Sequence, residues 1–143
     1  MHRLLFFIFE DFFKKQMKNI AITENHLYKK VYDYGLKQPC KHIVVYALID
    51  YHANRLKREN PLKKKVNRLG LTVTKRIGGA VVRSRVRRIL RHAYQAVDKN
   101  YEIKKGLLIV IVAKQEAINA KSTEIEKDLV YAFKKLGVIT SKT

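Results

Sequence analysis

Residues 80 to 98 read AVVRSRVRRILRHAYQAVD, and their apolar members recur with the period of an α-helix. Counted from the first of them, the apolar residues stand at offsets of 0, 4, 7, 8, 11 and 15, which places them on one helical face. These residues are Val82, Val86, Ile89, Leu90, Ala93 and Val97. The segment from Ala80 to Asp98 is therefore predicted to be an amphipathic helix that packs against a core.

Arginine occupies the opposite face of this predicted helix. Counted from Val82 at about 100° per residue, the apolar face centres near roughly 30°, and the arginines Arg83, Arg87, Arg91 and Arg88 fall between roughly 100° and 240°. From Lys75 to Arg91 there are seven basic residues and no acidic one, whereas a solvated helix usually mixes both signs. Because guanidinium groups can bind phosphate through two parallel hydrogen bonds, this face is predicted to bind a polyanion. A merely solvated basic face is the alternative.

The whole chain has the charge of a protein with a polyanionic partner. Its 143 residues contain 31 Lys and Arg against 12 Asp and Glu, a formal net charge of +19. A chain of this length suits one domain. Because so large an excess repels itself unless it is neutralised, nucleic acid is the favoured partner. An anionic membrane surface and a soluble basic protein are the alternatives.

Three segments around the helix are predicted to form a sheet. Residues 42–49 (HIVVYALI) and 107–113 (LLIVIVA) are short apolar runs typical of interior strands, and the first is expected to be central. Residues 68–74 (RLGLTVT) alternate and predict a half-buried strand. Residues 50–67 are rich in Lys and Arg and contain Asn60-Pro61, so they are predicted to form a solvated loop.

Two further helices complete the predicted domain. Apolar residues recur at helical spacing from Thr23 to Tyr34, with Thr23 as a candidate N-cap and Gly35 as the stop. A closing helix, ended by Gly137, is marked by Ile125, Leu129, Ala132, Phe133 and Leu136. The predicted order is α-β-β-α-β-α, in one α/β (α+β) domain that spans residues 17–140.

Residues 1–16 are predicted to be an extension of this domain that is disordered or not translated. The apolar stretch from Leu4 to Phe13 is interrupted by Glu10 and Asp11 and falls short of a bilayer span. Two lysines and a glutamine follow it, where a signal peptide would need small residues. Neither membrane insertion nor export is expected. A membrane-surface protein that uses this stretch is a third functional alternative.

Cysteine and histidine do not form the patterns of a disulfide framework or a zinc site. Cys40 is the single cysteine, and the five histidines lack paired spacing. We therefore expect a cytoplasmic protein with no metal site of its own. The chain also offers no paired carboxylates and no nucleophile with a base that could hydrolyse a phosphodiester alone.

The segment from Lys75 to Arg91, KRIGGAVVRSRVRRILR, resembles the signature of the bacterial ribonuclease P protein family. Residues 68–74 resemble the strand before that signature, and residues 28–35 (YKKVYDYG) resemble the family's N-terminal aromatic segment. The similarity covers most of residues 20–136. Two features depart from the family: Ser84 stands where Asn is usual, and the segment 50–67 looks longer. The lysines of this segment either extend the RNA footprint or keep the protein soluble.

The resemblance implies a small α/β sandwich with a left-handed strand-helix-strand crossover. It also implies a subunit of ribonuclease P, in which a large RNA performs the hydrolysis that removes the 5′ leader from precursor tRNA. The implied partners are that catalytic RNA and precursor tRNA, with no membrane and no obligate protein partner, and Mg²⁺ is expected to be held mainly by the RNA. A ribosomal or other structured-RNA-binding protein without a role in cleavage is the alternative.

Matching positions imply two sets of binding residues. Tyr28, Tyr32 and Tyr46 correspond to aromatics of the family's leader cleft, where each stacked base contributes about 1 to 3 kcal/mol. Core packing is the alternative for these tyrosines. Ser84 can still form hydrogen bonds, over a shorter reach than Asn. The residues implied to contact the catalytic RNA are Lys75, Arg76, Arg83, Ser84, Arg85, Arg87, Arg88 and Arg91.

Overall fold

A computed structural model gives the architecture of residues 19–59 and 66–142. The extension predicted at residues 1–16 lies outside the described residues, so its prediction stays untested. The elements, in chain order, are β1 (Asn19–Ala21), α1 (Asn25–Tyr34), β2 (Leu36–Pro39), β3 (Ile43–Ile49), α2 (Tyr51–Glu59), β4 (Asn67–Thr72), α3 (Ala80–Asn100), β5 (Tyr101–Ile103), β6 (Leu107–Ala113), a 3₁₀ helix (Gln115–Asn119), α4 (Ser122–Leu136) and β7 (Ile139–Lys142).

A five-stranded mixed sheet in the order β1-β4-β6-β3-β2 organises the molecule. β6 pairs with β3 in antiparallel and with β4 in parallel orientation, and α3 and β5 connect the two parallel strands. β5 and β7 form a separate antiparallel pair. The predicted mixed α/β class and the interior positions of β3 and β6 are confirmed. The handedness of the β4-to-β6 crossover stays a prediction from the resemblance.

Helices cover both faces of this sheet. Val45 and Ile109 belong to the larger hydrophobic cluster, which also contains the buried residues of α3 and α4. Leu108 and Val110 belong to a smaller cluster beneath α1, together with Val31. Because neighbouring residues of a strand point to opposite faces, this division explains why β6 is apolar at every position.

The end of α4 follows the sequence prediction. Gly137 adopts a left-handed conformation with φ 72°, and its N–H donates to the carbonyl of Lys134 at 3.3 Å. The next residue, Val138, donates to the carbonyl of Phe133 at 2.8 Å. These bonds satisfy carbonyls that the end of the helix would otherwise leave without partners.

The predicted loop at residues 50–67 is wrong in its first half, which forms α2. Asp50 precedes this helix, and its carboxylate accepts a hydrogen bond from the backbone N–H of Ala53 at 3.4 Å. This is the position at which Asp favours helix initiation, but the charge-rich segment lacks an apolar repeat that would reveal the helix. The predicted N-cap Thr23 is also wrong, since Glu24 occupies that position without a side-chain cap hydrogen bond.

None of the helices in residues 19–59 and 66–142 combines the length and apolar character needed to cross a bilayer.

Candidate nucleic-acid interface

The exposed side of α3 forms an open basic groove. The groove has a volume of about 650 Å³, and its lining residues are Ala80, Val81, Ser84, Arg85, Arg88 and Arg91. Val81 is 84% exposed, so this helix presents apolar surface between its arginines. Arg85 is held in place because its Nη2 donates to the carbonyl of Ile118 at 3.0 Å. The groove therefore combines cationic groups with a surface that a planar or apolar group can contact.

Two arginines of α3 lie closer to the core than their helical angles predicted. Arg83 and Arg87 are half-buried, whereas Arg88 and Arg91 are exposed. The predicted apolar face omitted Tyr94, which is fully buried against Phe133 at a ring-centroid distance of 6.2 Å. This tyrosine widens the buried face towards Arg83 and Arg87, so the prediction that these two oppose the core is wrong.

Arg83 carries a polar group that the protein alone does not satisfy. Within the described residues, its Nε is a buried side-chain nitrogen with no hydrogen-bond partner. Leaving such a donor unsatisfied costs about 1 to 3 kcal/mol or more for a charged group. Because this nitrogen is buried, an anionic partner would satisfy it only after the Arg83 side chain moved, so Arg83 is a candidate ligand through its half-buried guanidinium as a whole.

Tyr28, Tyr32 and Tyr46 lie together at the edge of the smaller cluster. The rings of Tyr28 and Tyr32 on α1 have centroids 6.4 Å apart, and the ring of Tyr46 on β3 meets that of Tyr32 edge-on at 5.0 Å. Tyr28 and Tyr46 pack against the cluster, and Tyr32 is exposed. The three tyrosines are therefore partly in the core and partly at the surface. We call these three residues the tyrosine cluster.

Two strand residues shape the floor of the tyrosine cluster. Tyr28 covers Gly70 on β4 so closely that a Cβ at residue 70 would meet three atoms of the phenol at 2.6 to 2.8 Å. The hydroxyl of Tyr32 and the Oγ1 of Thr72 form a hydrogen bond of 2.8 Å. On the other side, Nζ of Lys37 lies 5.9 Å from the centroid of the Tyr46 ring. These contacts hold the rings in fixed positions beside a positive charge.

A charge on α3 acts on the tyrosine cluster. Burial raises the pKa of the Tyr28 hydroxyl, the neighbouring Tyr32 adds to this rise, and the positive charge of Arg87 opposes it. The hydroxyl therefore stays protonated near neutral pH and donates to the carbonyl of Ile22 at 3.3 Å. The positive charge of Arg87 is therefore close enough to the tyrosine cluster to act on Tyr28.

Known proteins of one family are similar to this chain in sequence. The family model described as Ribonuclease P matches residues 16–137. The ribonuclease P protein component of Alkaliphilus oremlandii is 32% identical over 120 residues, which cover 84% of this chain and 93% of that protein. The component of Clostridium acetobutylicum is 30% identical over 123 residues, 86% of this chain and 93% of that protein. The chain belongs to the ribonuclease P protein family.

Solved structures of ribonuclease P proteins share the fold. The protein of Staphylococcus aureus, at 2.0 Å, superposes with a TM-score of 0.65 and 22% identity, covering 84% of this chain and 97% of that one. The protein of Thermotoga maritima superposes with a TM-score of 0.62 and 16% identity, covering 80% and 96%. At these identities the likeness shows the architecture alone.

The remaining residues of the ribonuclease P signature lie in the turn before α3. Lys75 and Arg76 are exposed in this turn, which is closed by a 3.0 Å hydrogen bond from the N–H of Ile77 to the carbonyl of Thr74. Gly79 is the N-cap of α3, and no acidic residue occupies the first turn of the helix. Free N–H groups and a positive dipole end therefore face the same side as these two cations.

Sequence reasoning missed three residues that shape the candidate site of this ribonuclease P protein. Gly70, Thr72 and Lys37 form the floor and one side of the tyrosine cluster. Only Gly70 carried a usable signal, because a glycine inside an alternating strand often marks a close approach. Thr72 and Lys37 became recognisable only once the strands were paired.

Neither Cys40 nor the histidines form a reactive centre within the described residues. Burial and the neighbouring Asp128 raise the pKa of the Cys40 thiol to about 11, although Lys114 opposes this rise. His42 bonds to Asp128 through Nδ1 at 2.9 Å and lies 3.2 Å from Glu124 through Nε2. No group of three or more His, Cys, Asp or Glu in the described residues could hold a metal ion.

Proposed function

We propose that this chain is the protein subunit of ribonuclease P and supports 5′ maturation of precursor tRNA. In this proposal, the arginines of α3 bind the catalytic RNA and the tyrosine cluster binds the single-stranded leader. We call these arginines the arginine surface, and they are Arg83, Arg85, Arg87, Arg88 and Arg91. The observation that carries the proposal is the position of three tyrosines, one of them exposed, near Arg87 of α3, a helix with no acidic residue between its arginines. Because the chain belongs to the ribonuclease P protein family, the complex in which this surface would work is ribonuclease P.

The tyrosine cluster suits a leader of variable sequence. Every base has a π face, so stacking on tyrosine contributes about 1 to 3 kcal/mol per base with little sequence preference. Tyr32 offers the most accessible of the three rings, and its hydrogen bond to Thr72 orients it before RNA arrives. A fixed ring loses little conformational entropy on binding, which favours affinity.

The arginine surface suits the backbone of a folded RNA. Arg88 and Arg91 line the open groove, and Arg83 adds a half-buried guanidinium on the same helix. Lys75 and Arg76 extend the positive charge beyond the N-terminus of α3. Ser84 lies in the same groove, where its hydroxyl can bond to a phosphate or a ribose over a short reach.

We propose that magnesium in this complex is held mainly by RNA phosphates. Mg²⁺ prefers several oxygen ligands and commonly combines one or two carboxylates with phosphates and water. The α3 surface is cationic and would repel Mg²⁺, while it attracts the phosphates that bind the ion. The role of the protein residues is therefore to bind and orient RNA rather than to carry a chemical step.

Reconstituted cleavage tests the subunit assignment. Precursor tRNA is incubated at low magnesium with a bacterial ribonuclease P RNA, with and without this protein. We expect a protein-dependent gain in 5′ cleavage, because the protein neutralises RNA phosphates and holds the leader. Tight, salt-sensitive RNA binding with no gain against RNAs from several relatives would contradict the assignment and favour another structured RNA as partner.

Salt dependence tests the arginine surface. Replacing Arg87 and Arg91 by alanine should weaken binding to the catalytic RNA and reduce the slope of log affinity against log salt by about 1.8, at about 0.9 for each lost duplex phosphate contact. A matched control removes Lys127 and Lys135, which are exposed on α4. An unchanged slope in the arginine variant, or an equal change in the control, would contradict the assignment.

A further inference from the structure

A second aromatic and basic surface lies beside α1, outside the tyrosine cluster. Tyr51, the first residue of α2, is 63% exposed, and Nζ of Lys30 on α1 lies 5.9 Å from the centroid of its ring. Arg55 and Arg58 follow on α2 at offsets of four and seven, which place them on the same helical face as Tyr51. Both arginines are exposed.

Hydrogen bonds hold the start of α2 through Asp50, which sets the position from which the Tyr51 side chain projects. The neighbouring carboxylate of Asp50 is 3% exposed and accepts hydrogen bonds from Nε and Nη2 of Arg68 at 2.7 and 2.9 Å. The N–H of Asp50 donates to the carbonyl of Gly106 at 2.9 Å. The charge of Asp50 is therefore matched inside the fold and does not oppose an anion at the surface.

The remaining charges favour a polyanion at this surface. α2 contains Arg55, Lys57 and Arg58 against one acid, Glu59 at its last position, and α1 contributes Lys30 with the exposed Asp33. An exposed ring that carries a cation on one face can stack a base on the other, and guanidinium groups bind the adjoining phosphates. Duplex RNA has no free base faces, so this combination fits single-stranded RNA.

The position of α2 relative to α1 indicates which single strand reaches it. At about 100° per residue, Lys30 lies roughly 160° to 200° around α1 from Tyr32 and Tyr28. The two surfaces therefore flank one helix that is about 10 to 12 Å across. A strand that leaves the tyrosine cluster reaches Tyr51 by crossing α1.

We infer that Lys30, Tyr51, Arg55 and Arg58 form a second site for single-stranded RNA. Its occupant is the part of the 5′ leader that lies farther from the cleavage site than the part on the tyrosine cluster. The inference rests on the proposed function, since it places the nearer leader on that cluster. The site extends the length of leader that the protein can bind.

A series of leader lengths tests this inference in the reconstituted holoenzyme. Precursor affinity is measured for the wild type, for a variant with Tyr51, Arg55 and Arg58 replaced by alanine, and for the control variant that lacks Lys127 and Lys135. On long leaders we expect the α2 variant to bind more weakly than the wild type by at least roughly 5- to 150-fold, the equivalent of one lost stacked base, because two phosphate contacts are lost as well. Its salt slope should fall by about 1.4, for two lost contacts to a single strand.

Short leaders, which end on the tyrosine cluster, provide the internal control. The α2 variant should bind them as tightly as the wild type, which also shows that it is folded. If the α2 variant bound leaders of every length as tightly as the wild type, the inference would be overturned. An equal loss of affinity on leaders of every length would also overturn it and would place α2 against the catalytic RNA. A wild type that gains no affinity from any leader would instead overturn the proposed function, and this inference with it.

Discussion

Gly70→Ala should show whether the tyrosine cluster is built as tightly as its geometry indicates. The added Cβ would meet the Tyr28 phenol at 2.6 to 2.8 Å, so the ring must move by roughly 0.8 to 1.4 Å to reach ordinary contact at 3.4 to 4 Å. Overpacking of this kind costs about 1 to 3 kcal/mol. Replacing a strand glycine by alanine recovers about 0.5 to 1 kcal/mol of backbone entropy. The net loss of stability should therefore lie between about 0 and 2.5 kcal/mol.

Urea unfolding in a double-mutant cycle with Tyr28→Ala isolates this contact. In the Tyr28→Ala background the ring is gone, so Gly70→Ala should be neutral or should stabilise the protein by up to about 1 kcal/mol. The two changes should therefore be strongly non-additive, with a coupling of about 1 to 3 kcal/mol. If Gly70→Ala destabilised both backgrounds equally, the close packing of Tyr28 on Gly70 would be refuted.

Two further predictions concern stability. Burial acts to raise the pKa of Asp50, but Arg68 and the backbone N–H groups of His52 and Ala53 together outweigh it, so the pKa is lowered overall. This carboxylate therefore stabilises the fold above its unfolded pKa of about 3.9, and the contribution is lost as pH falls through the lower folded value. Asp50→Asn should therefore be less stable at pH 7 and lose less stability on acidification to pH 3 in urea titrations, and parallel losses in both proteins would contradict this. Phe133→Ala should cost about 3 to 5 kcal/mol in the same assay, because Phe133 is fully buried against Tyr94, and a loss below about 1 kcal/mol would contradict that packing.

The elements that the sequence predicted well are those with a long or continuous apolar pattern. The helix α3 has an uninterrupted apolar period because it packs a full face against the core. The strand at residues 107–113 is apolar throughout because both of its faces are covered. The helix at residues 51–59 was missed because its charged side chains mask any apolar period. The strand at residues 139–142 is defined by its pairing with residues 101–103, far back along the chain, which a local pattern does not contain. The strand at residues 36–39 pairs with the neighbouring residues 44–47, but its sequence LKQP has no apolar alternation that would reveal it.

The candidate site was predictable in its residue types and less so in its geometry. The arginine run predicted a polyanion-binding face from charge alone, but Tyr94 widens the buried face towards Arg83 and Arg87, which are half-buried. The spacing of the tyrosines alone favoured core packing, and leader binding was favoured only by the resemblance. Their meeting on one face of the sheet depends on strand pairing between residues more than 20 positions apart, and only the resemblance indicated it beforehand.

The most direct test of the account compares the affinity of the reconstituted holoenzyme for precursor tRNA and for mature tRNA. Because the two ligands differ by the leader, their ratio isolates the contact assigned to the tyrosine cluster. The wild type should prefer the precursor, Tyr32→Ala should lose about 5- to 150-fold of that preference, and Tyr32→Phe, which keeps the ring, should retain it. A Tyr32→Ala holoenzyme that prefers the precursor as strongly as the wild type would contradict the account.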